Sequence, residues 1–84
     1  MSSRNNMFTL HDRKAELYNQ PFYAPTDGAA CRMIEDTINA NEKGDLAAHP
    51  EDFVLYRVGQ FNADTGEVTP EIPKHIIDVA TLKK

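Results

Sequence analysis

Phe53, Arg57 and Phe61 stand at even intervals in the run Phe53-Val54-Leu55-Tyr56-Arg57-Val58-Gly59-Gln60-Phe61. If that run is a strand, two aromatic rings and a guanidinium share one face, because successive side chains alternate sides. Such a face could stack unpaired bases on its rings while the cation meets phosphate. Tyr56 would lie on the opposite face, and His11 and Lys74 could join either set. The candidate nucleic-acid contacts are therefore Arg13, Lys14, Arg32, Phe53, Arg57, Phe61 and Lys74. On this reading Arg57→Glu weakens binding and flattens its salt dependence. The same aromatics also fit a core or a dimer interface, and spacing alone favours that plainer use.

The chain offers little else for chemistry, and no catalytic residue, cofactor or metal site is expected. Ser2 and Ser3 belong to a polar N-terminal stretch. Cys31, in Ala29-Ala30-Cys31, reads as a packed helix residue rather than a reactive thiol. His11, His49 and His75 are far apart, and none has a partner ligand at zinc-like spacing on a shared helix face. The stretch from Asn39 to Pro50 fails as a calcium loop, because Lys43 and Pro50 stand where oxygen ligands are needed. Gly28, Gly44, Gly59 and Gly66 form no phosphate-cradling loop, and the neighbours Glu35-Asp36 and Glu51-Asp52 suit capping or solvation better than acid–base pairing. The chain is not expected to be an enzyme.

Residues 1–5 are polar and read as a tail. Met7 to His11, with Phe8 and Leu10 on one side, reads as a strand. Asp12 to Asn19 would connect it to a short strand at Pro21–Ala24. Thr26 or Asp27 can cap a helix in which Ala30, Met33, Ile34, Thr37 and Ile38 form the buried stripe. Asn41–Asp45 is a loop, and His49–Asp52 a turn with Pro50 at its first position. Phe53 to Phe61 is apolar on both faces and should be a central strand. Asn62–Gly66 has hairpin chemistry. Glu67–Thr69 begins a return strand limited by Pro70 and Pro73, and His75–Val79 makes a last one, followed by a solvated tail at 81–84. The expected fold is α+β: a small, mostly antiparallel sheet of four to five strands with one helix on one face. The uncovered face of so small a domain predicts a dimer.

Composition bounds the reading. Eighty-four residues, 40% of them hydrophobic, suffice for one domain with a modest core. A single cysteine excludes an internal disulfide. The net charge of −4 argues against a strong non-specific duplex binder, though not against a local patch. No run approaches a membrane span, and the N-terminus lacks an apolar signal segment, which predicts a cytoplasmic protein with no membrane partner.

Three stretches, Pro21–Arg32, His49–Phe61 and Asp64–Val68, together resemble the small nonstructural protein of gokushoviruses, the microvirus branch of single-stranded DNA phages. The shared features are an aromatic pair before a Thr-Asp-Gly helix start, a Pro-Glu-Asp-aromatic-x-Leu-aromatic-basic-x-Gly-x-Phe core, and an Asp-Thr-Gly hairpin. The resemblance covers roughly residues 7–80, with a slightly longer N-terminus and a generic loop at Asn39–Ala48. It implies a non-enzymatic DNA-binding or DNA-synthesis protein of the infected bacterial cytoplasm, absent from the virion. Such a protein would bind single-stranded viral DNA and take part in genome replication and the switch to single-strand synthesis. The alternative is a protein–protein adaptor that contacts the replication initiator or the procapsid without touching DNA. The resemblance assigns no binding residues.

Overall fold

The computed structural model describes residues 4–83. Strand β1 (Arg4–Asp12) leads through a turn to the two-residue β2 (Leu17–Tyr18), then to β3 (Phe22–Ala24). Helix α1 (Asp27–Ala40) and the single-turn α2 (Asp45–Ala48) follow, then a 3-10 turn at Pro50–Asp52. Two long strands, β4 (Phe53–Asn62) and β5 (Val68–Asp78), complete the sheet before a last 3-10 turn at Val79–Thr81. All pairings are antiparallel, in the order β2-β1-β4-β5. β3 pairs with Asn6–Phe8 of β1 and β2 with His11–Asp12, so both lie end to end along the edge of β1 that β4 leaves free. The α+β fold expected from the sequence is therefore present: five antiparallel strands and one main helix.

Local chemistry explains most of the boundaries. Thr26 has extended backbone and its Oγ1 accepts from Ala29 N–H at 3.0 Å, satisfying one of the free amides of the first turn of α1. Pro50 starts its turn at the position where a missing N–H costs nothing. At the β4–β5 hairpin, Asn62 Oδ1 accepts from Asp64 N–H, and Gly66 takes a φ of 77° that a side chain would resist.

The core lies between α1 and one sheet face. Phe8, Ala24, Ala30, Ile34, Ile38, Ala47, Phe53, Leu55 and Val79 form one buried cluster. Phe8 and Leu55 are fully buried, each contributing about 1.5–3 kcal/mol through burial. They sit on the helix-covered face with Leu10, Arg57 and Ile77, as cross-strand pairing requires.

Five expectations need correction. β1 takes in residues 4 and 5, assigned above to a tail, because they pair with Asn62 and Phe61; residues 1–3 lie outside the described residues. The connection Asp12–Asn19 contains β2. Met33 and Thr37 are exposed rather than part of the buried stripe, which is the narrower Ala30–Ile34–Ile38 row one turn apart. Glu67–Thr69 and His75–Val79 are not two strands but the two ends of β5, and Pro70 and Pro73 are tolerated because that strand is an edge. Residues 81–83 are not a free tail: Leu82 packs against the core and Lys83 Nζ donates to the Ala47 carbonyl. Lys84 lies outside the described residues.

Candidate nucleic-acid interface

One irregularity decides which side chains meet. Along β4, Arg57 faces Phe8 and Gly59 faces Met7, so Val58 is an extra residue with no partner on β1. An inserted residue shifts the alternation and sends every later side chain to the opposite face. Phe53, Leu55 and Arg57 therefore point toward the helix, whereas Phe61 points to the open face. There its ring lies 5.6 Å from that of Tyr23, a residue of β3 next to Met7. The expected set of Phe53, Arg57 and Phe61 on one face does not form.

Arg57 is also engaged. Its Nη1 donates to Asp27 at 3.0 and 3.1 Å and its Nε to Glu71 at 3.0 Å. These bonds, first to Asp27 and then to Glu71, push the guanidinium pKa up from its ordinary value. The side chain is only 20% exposed. A cation held by two carboxylates ties the start of α1 to β4 and β5, and has little left for phosphate. Phe53 is buried in the core. Arg32 is exposed on α1, and Lys74 is exposed beside Arg57 on the helix side of the sheet. Arg13 and Lys14 stand at the β1–β2 turn. Lys14 is exposed, while the Arg13 guanidinium donates to the Glu51 carbonyl at 2.8 Å and to Asp78 at 3.2 Å. The structure thus spreads the seven candidates over both faces and one turn.

What the fold does assemble is a row of rings across the open face. Tyr18 of β2, His11 of β1, Tyr56 of β4 and His75 of β5 come from four neighbouring strands. The His11 and Tyr18 rings are 4.5 Å apart. Tyr56 sits edge-on to His11 at 6.3 Å, to Tyr18 at 5.8 Å and to His75 at 6.0 Å. These are favoured aromatic separations. Tyr18 and His75 are exposed, and His11 and Tyr56 half-buried. Toward the Tyr23–Phe61 pair the face continues as a shallow apolar groove lined by Thr9, Tyr18, Asn19, Pro21, Val58 and Pro73. Thr9, buried beneath it, donates to the Asn19 carbonyl at 2.7 Å and so fixes the segment carrying Tyr18.

One end of the row is pinned by charge. His75 Nε2 lies 3.0 Å from Asp78 Oδ1, which also receives Arg13. The bond to His75, followed by the charge of Arg13, holds the Asp78 carboxyl below its ordinary value. Sequence reasoning placed Tyr56 correctly away from Arg57 but missed the row. Tyr18 fell inside a stretch assigned to a connection, and no local signal joins His11 to His75.

Two other groups lie outside the row, Cys31 on α1 and His49 before the 3-10 turn. Burial, then the charge of Asp27, pushes the Cys31 thiol up, which fits a packed and unreactive residue. The ring of His49 and the carboxylates of Glu51 and Asp52 lie within 4.8 Å of one another on an open surface turn, not on a shared helix face. Among the described residues, no helix is long and apolar enough to cross a membrane.

In comparisons with known families, residues 5–82 match the one described as Phage ORF5 protein. No curated protein and no solved structure matches the chain.

Proposed function

The chain belongs to the Phage ORF5 protein family, which makes it a phage protein, and on that premise we propose that it binds single-stranded DNA through the open face of its sheet. The observation that carries this reading is the row Tyr18–His11–Tyr56–His75, with Tyr23–Phe61 further along the same face. Rings presented by neighbouring strands of a sheet are a sequence-tolerant platform for unpaired bases, each stacked base contributing about 1–3 kcal/mol. Bases paired in a duplex do not present their faces to such a platform.

The role is non-enzymatic. In line with the gokushovirus resemblance, the protein takes part in viral genome replication and the switch to single-strand synthesis in the bacterial cytoplasm. It acts as a homodimer, for which the exposed Val68 and Ile72 of the edge strand β5 offer apolar surface to a second copy.

Fluorescence anisotropy with a labelled single strand of about 30 nucleotides, against the matched duplex at two salt concentrations, tests the reading. Saturable, salt-sensitive binding that prefers the single strand and is weakened about tenfold or more in Tyr56→Ala supports it. Absence of binding at low salt, at pH 5.5 as well as at pH 8, overturns it. A second reading has its own support. The net charge is −4, and Arg57 and Arg13 are both engaged by carboxylates. Under it, the open face contacts the replication initiator or the procapsid and no DNA. Binding of either protein that is lost in Tyr56→Ala, with no DNA affinity, would establish it.

A further inference from the structure

The stacking platform presents rings but few free cations. Arg57 faces the helix, held by Asp27 and Glu71. Lys74 and Arg32 are on the helix side. Arg13 reaches the row, but there its charge is matched by Asp78. Lys14 lines a cleft with Asp12, Asp45 and Asp52, so among the described residues the groups on the row that can become positive are the two histidines at its second and fourth places. We propose that His11 and His75 supply the ionic contacts of the single-strand site, so that the face recognises a polyanion only as these rings take up protons; this rests on the DNA-binding reading above.

Neighbouring strands set the surroundings of both rings. From β2 and β4, His11 meets the rings of Tyr18 and Tyr56. His75 meets Tyr56 across the strand pair and Asp78 on its own strand, and Asp78 in turn holds Arg13 from the β1–β2 turn. With both histidines neutral, Arg13 and Asp78 cancel and the row carries no net charge. With both protonated, it carries two positive charges, interleaved with the rings of Tyr18 and Tyr56. A phosphate lies beside every base, so cations alternating with stacking rings match the chemical repeat of a single strand. Histidine is the side chain whose charge ordinarily changes between pH 5 and pH 8, a range an assay can span.

The salt dependence gives the test a number. Each phosphate neutralised on a single strand adds about 0.7 to the slope of log affinity against log salt. Two histidines should therefore steepen the slope by about 1.4 between pH 8 and pH 5.5. The measurement is anisotropy of a labelled oligo-dT of about 30 nucleotides, over a salt series at both pH values. The same series is run on His11→Gln/His75→Gln, with circular dichroism confirming that each sample is folded. His49→Gln is the control for overall charge, because His49 lies on the 3-10 turn side and outside the row. The expected result is tighter binding and a steeper slope at pH 5.5, both retained in His49→Gln and lost in the double variant. Single-strand binding of equal strength and slope at the two pH values, or a pH effect that survives in the double variant, overturns the assignment of the histidines and leaves the stacking site standing. Absence of single-strand binding at both pH values overturns the DNA reading and this assignment together.

Discussion

The two faces of the sheet solve opposite problems with neighbouring residues. Along β4, Leu55 and Arg57 point toward α1, while Tyr56 between them points away. On the covered face apolar side chains exclude water, and Arg57 among them is neutralised by Asp27 and Glu71 before it can carry any outside function. On the open face no helix lies among the described residues, and large rings lie against one another. Burial and ion pairing on one side are structural; on the other, charge is matched only at the Arg13–Asp78–His75 end of the row, and the aromatic surface is available to a ligand. Basic residues alone are therefore a poor guide to a binding face in this protein: its best-placed arginine belongs to the scaffold.

Adjacent residues give the sharpest way to break that contrast. Leu55→Ala removes a fully buried side chain from the centre of the core and should cost about 2–5 kcal/mol in urea unfolding. Tyr56→Ala, one residue on, loses ring contacts at an open surface and should cost about 1–2 kcal/mol. It should also lower single-strand affinity by about tenfold or more, the stacking of one base. Equal stability losses, or unchanged binding in Tyr56→Ala, would erase the division between the faces.

Gly59 tests the irregularity that separates them. A Cβ there would stand 2.6 Å from the Thr69 carbonyl oxygen of β5, backbone that has to move to admit it. Gly59→Ala should lose about 1–3 kcal/mol by such overpacking. Because Gly59 follows the Val58 bulge, the strain falls on the register that turns Phe61 toward Tyr23. Amide chemical shifts should move along Val68–Pro70 and at Tyr23 and leave α1 in place. Shifts confined to Gly59 itself would mean the register does not depend on this close approach.

Arg57→Met comes next in size. It leaves Asp27 and Glu71 without their cation, but both carboxylates are partly exposed, at 41% and 32%, so water takes over much of the solvation. The expected loss is about 1–2 kcal/mol. The salt slope of DNA binding should not change, the reverse of what the sequence suggests for this residue. A flatter slope in a folded Arg57→Met would return Arg57 to the interface.

Where one stretch of chain carried the information, the sequence was legible. Thr26 before an Ala-Ile-Ile spacing announces α1, the β-branched and aromatic run 53–61 announces β4, and Asn62–Gly66 announces the hairpin. Four residues of α2 and two of β2 are too short to show a period. The width of the buried stripe on α1 depends on how the helix lies on the sheet, so Met33 and Thr37 looked buried in the sequence and are not. The candidate site was less legible still, for a non-local reason. Alternation fixes the face of a residue only while pairing is regular, and Val58 is extra only relative to Met7 and Phe8, fifty residues earlier in the chain. The partners of Arg57 lie 30 and 14 residues away in opposite directions. The row of rings needs all four strands in order, so Tyr18 and His75 acquire meaning only in the folded sheet.

The smallest effect belongs to the charge that closes the end of the row. Asp78 has its carboxyl pKa depressed in the folded protein, chiefly by the bond to His75 and then by Arg13. A carboxylate whose folded pKa lies below its unfolded value binds fewer protons when folded than when unfolded over the interval between the two. Stability therefore falls with falling pH across that interval, and the contribution is fully present only above the unfolded value near 3.9. Asp78 is solvent-exposed, so the contribution is screened and should appear as a change of a few degrees or less in melting temperature. Between pH 5 and pH 3 the wild type should lose more of its melting temperature than Asp78→Asn, which has no carboxyl to protonate. His75→Gln should behave part-way between them, because Arg13 still holds the carboxylate. If Asp78→Asn and the wild type lose the same amount, the open face is tied together by its rings alone, and the contrast with the ion-paired covered face becomes sharper than the structure implies.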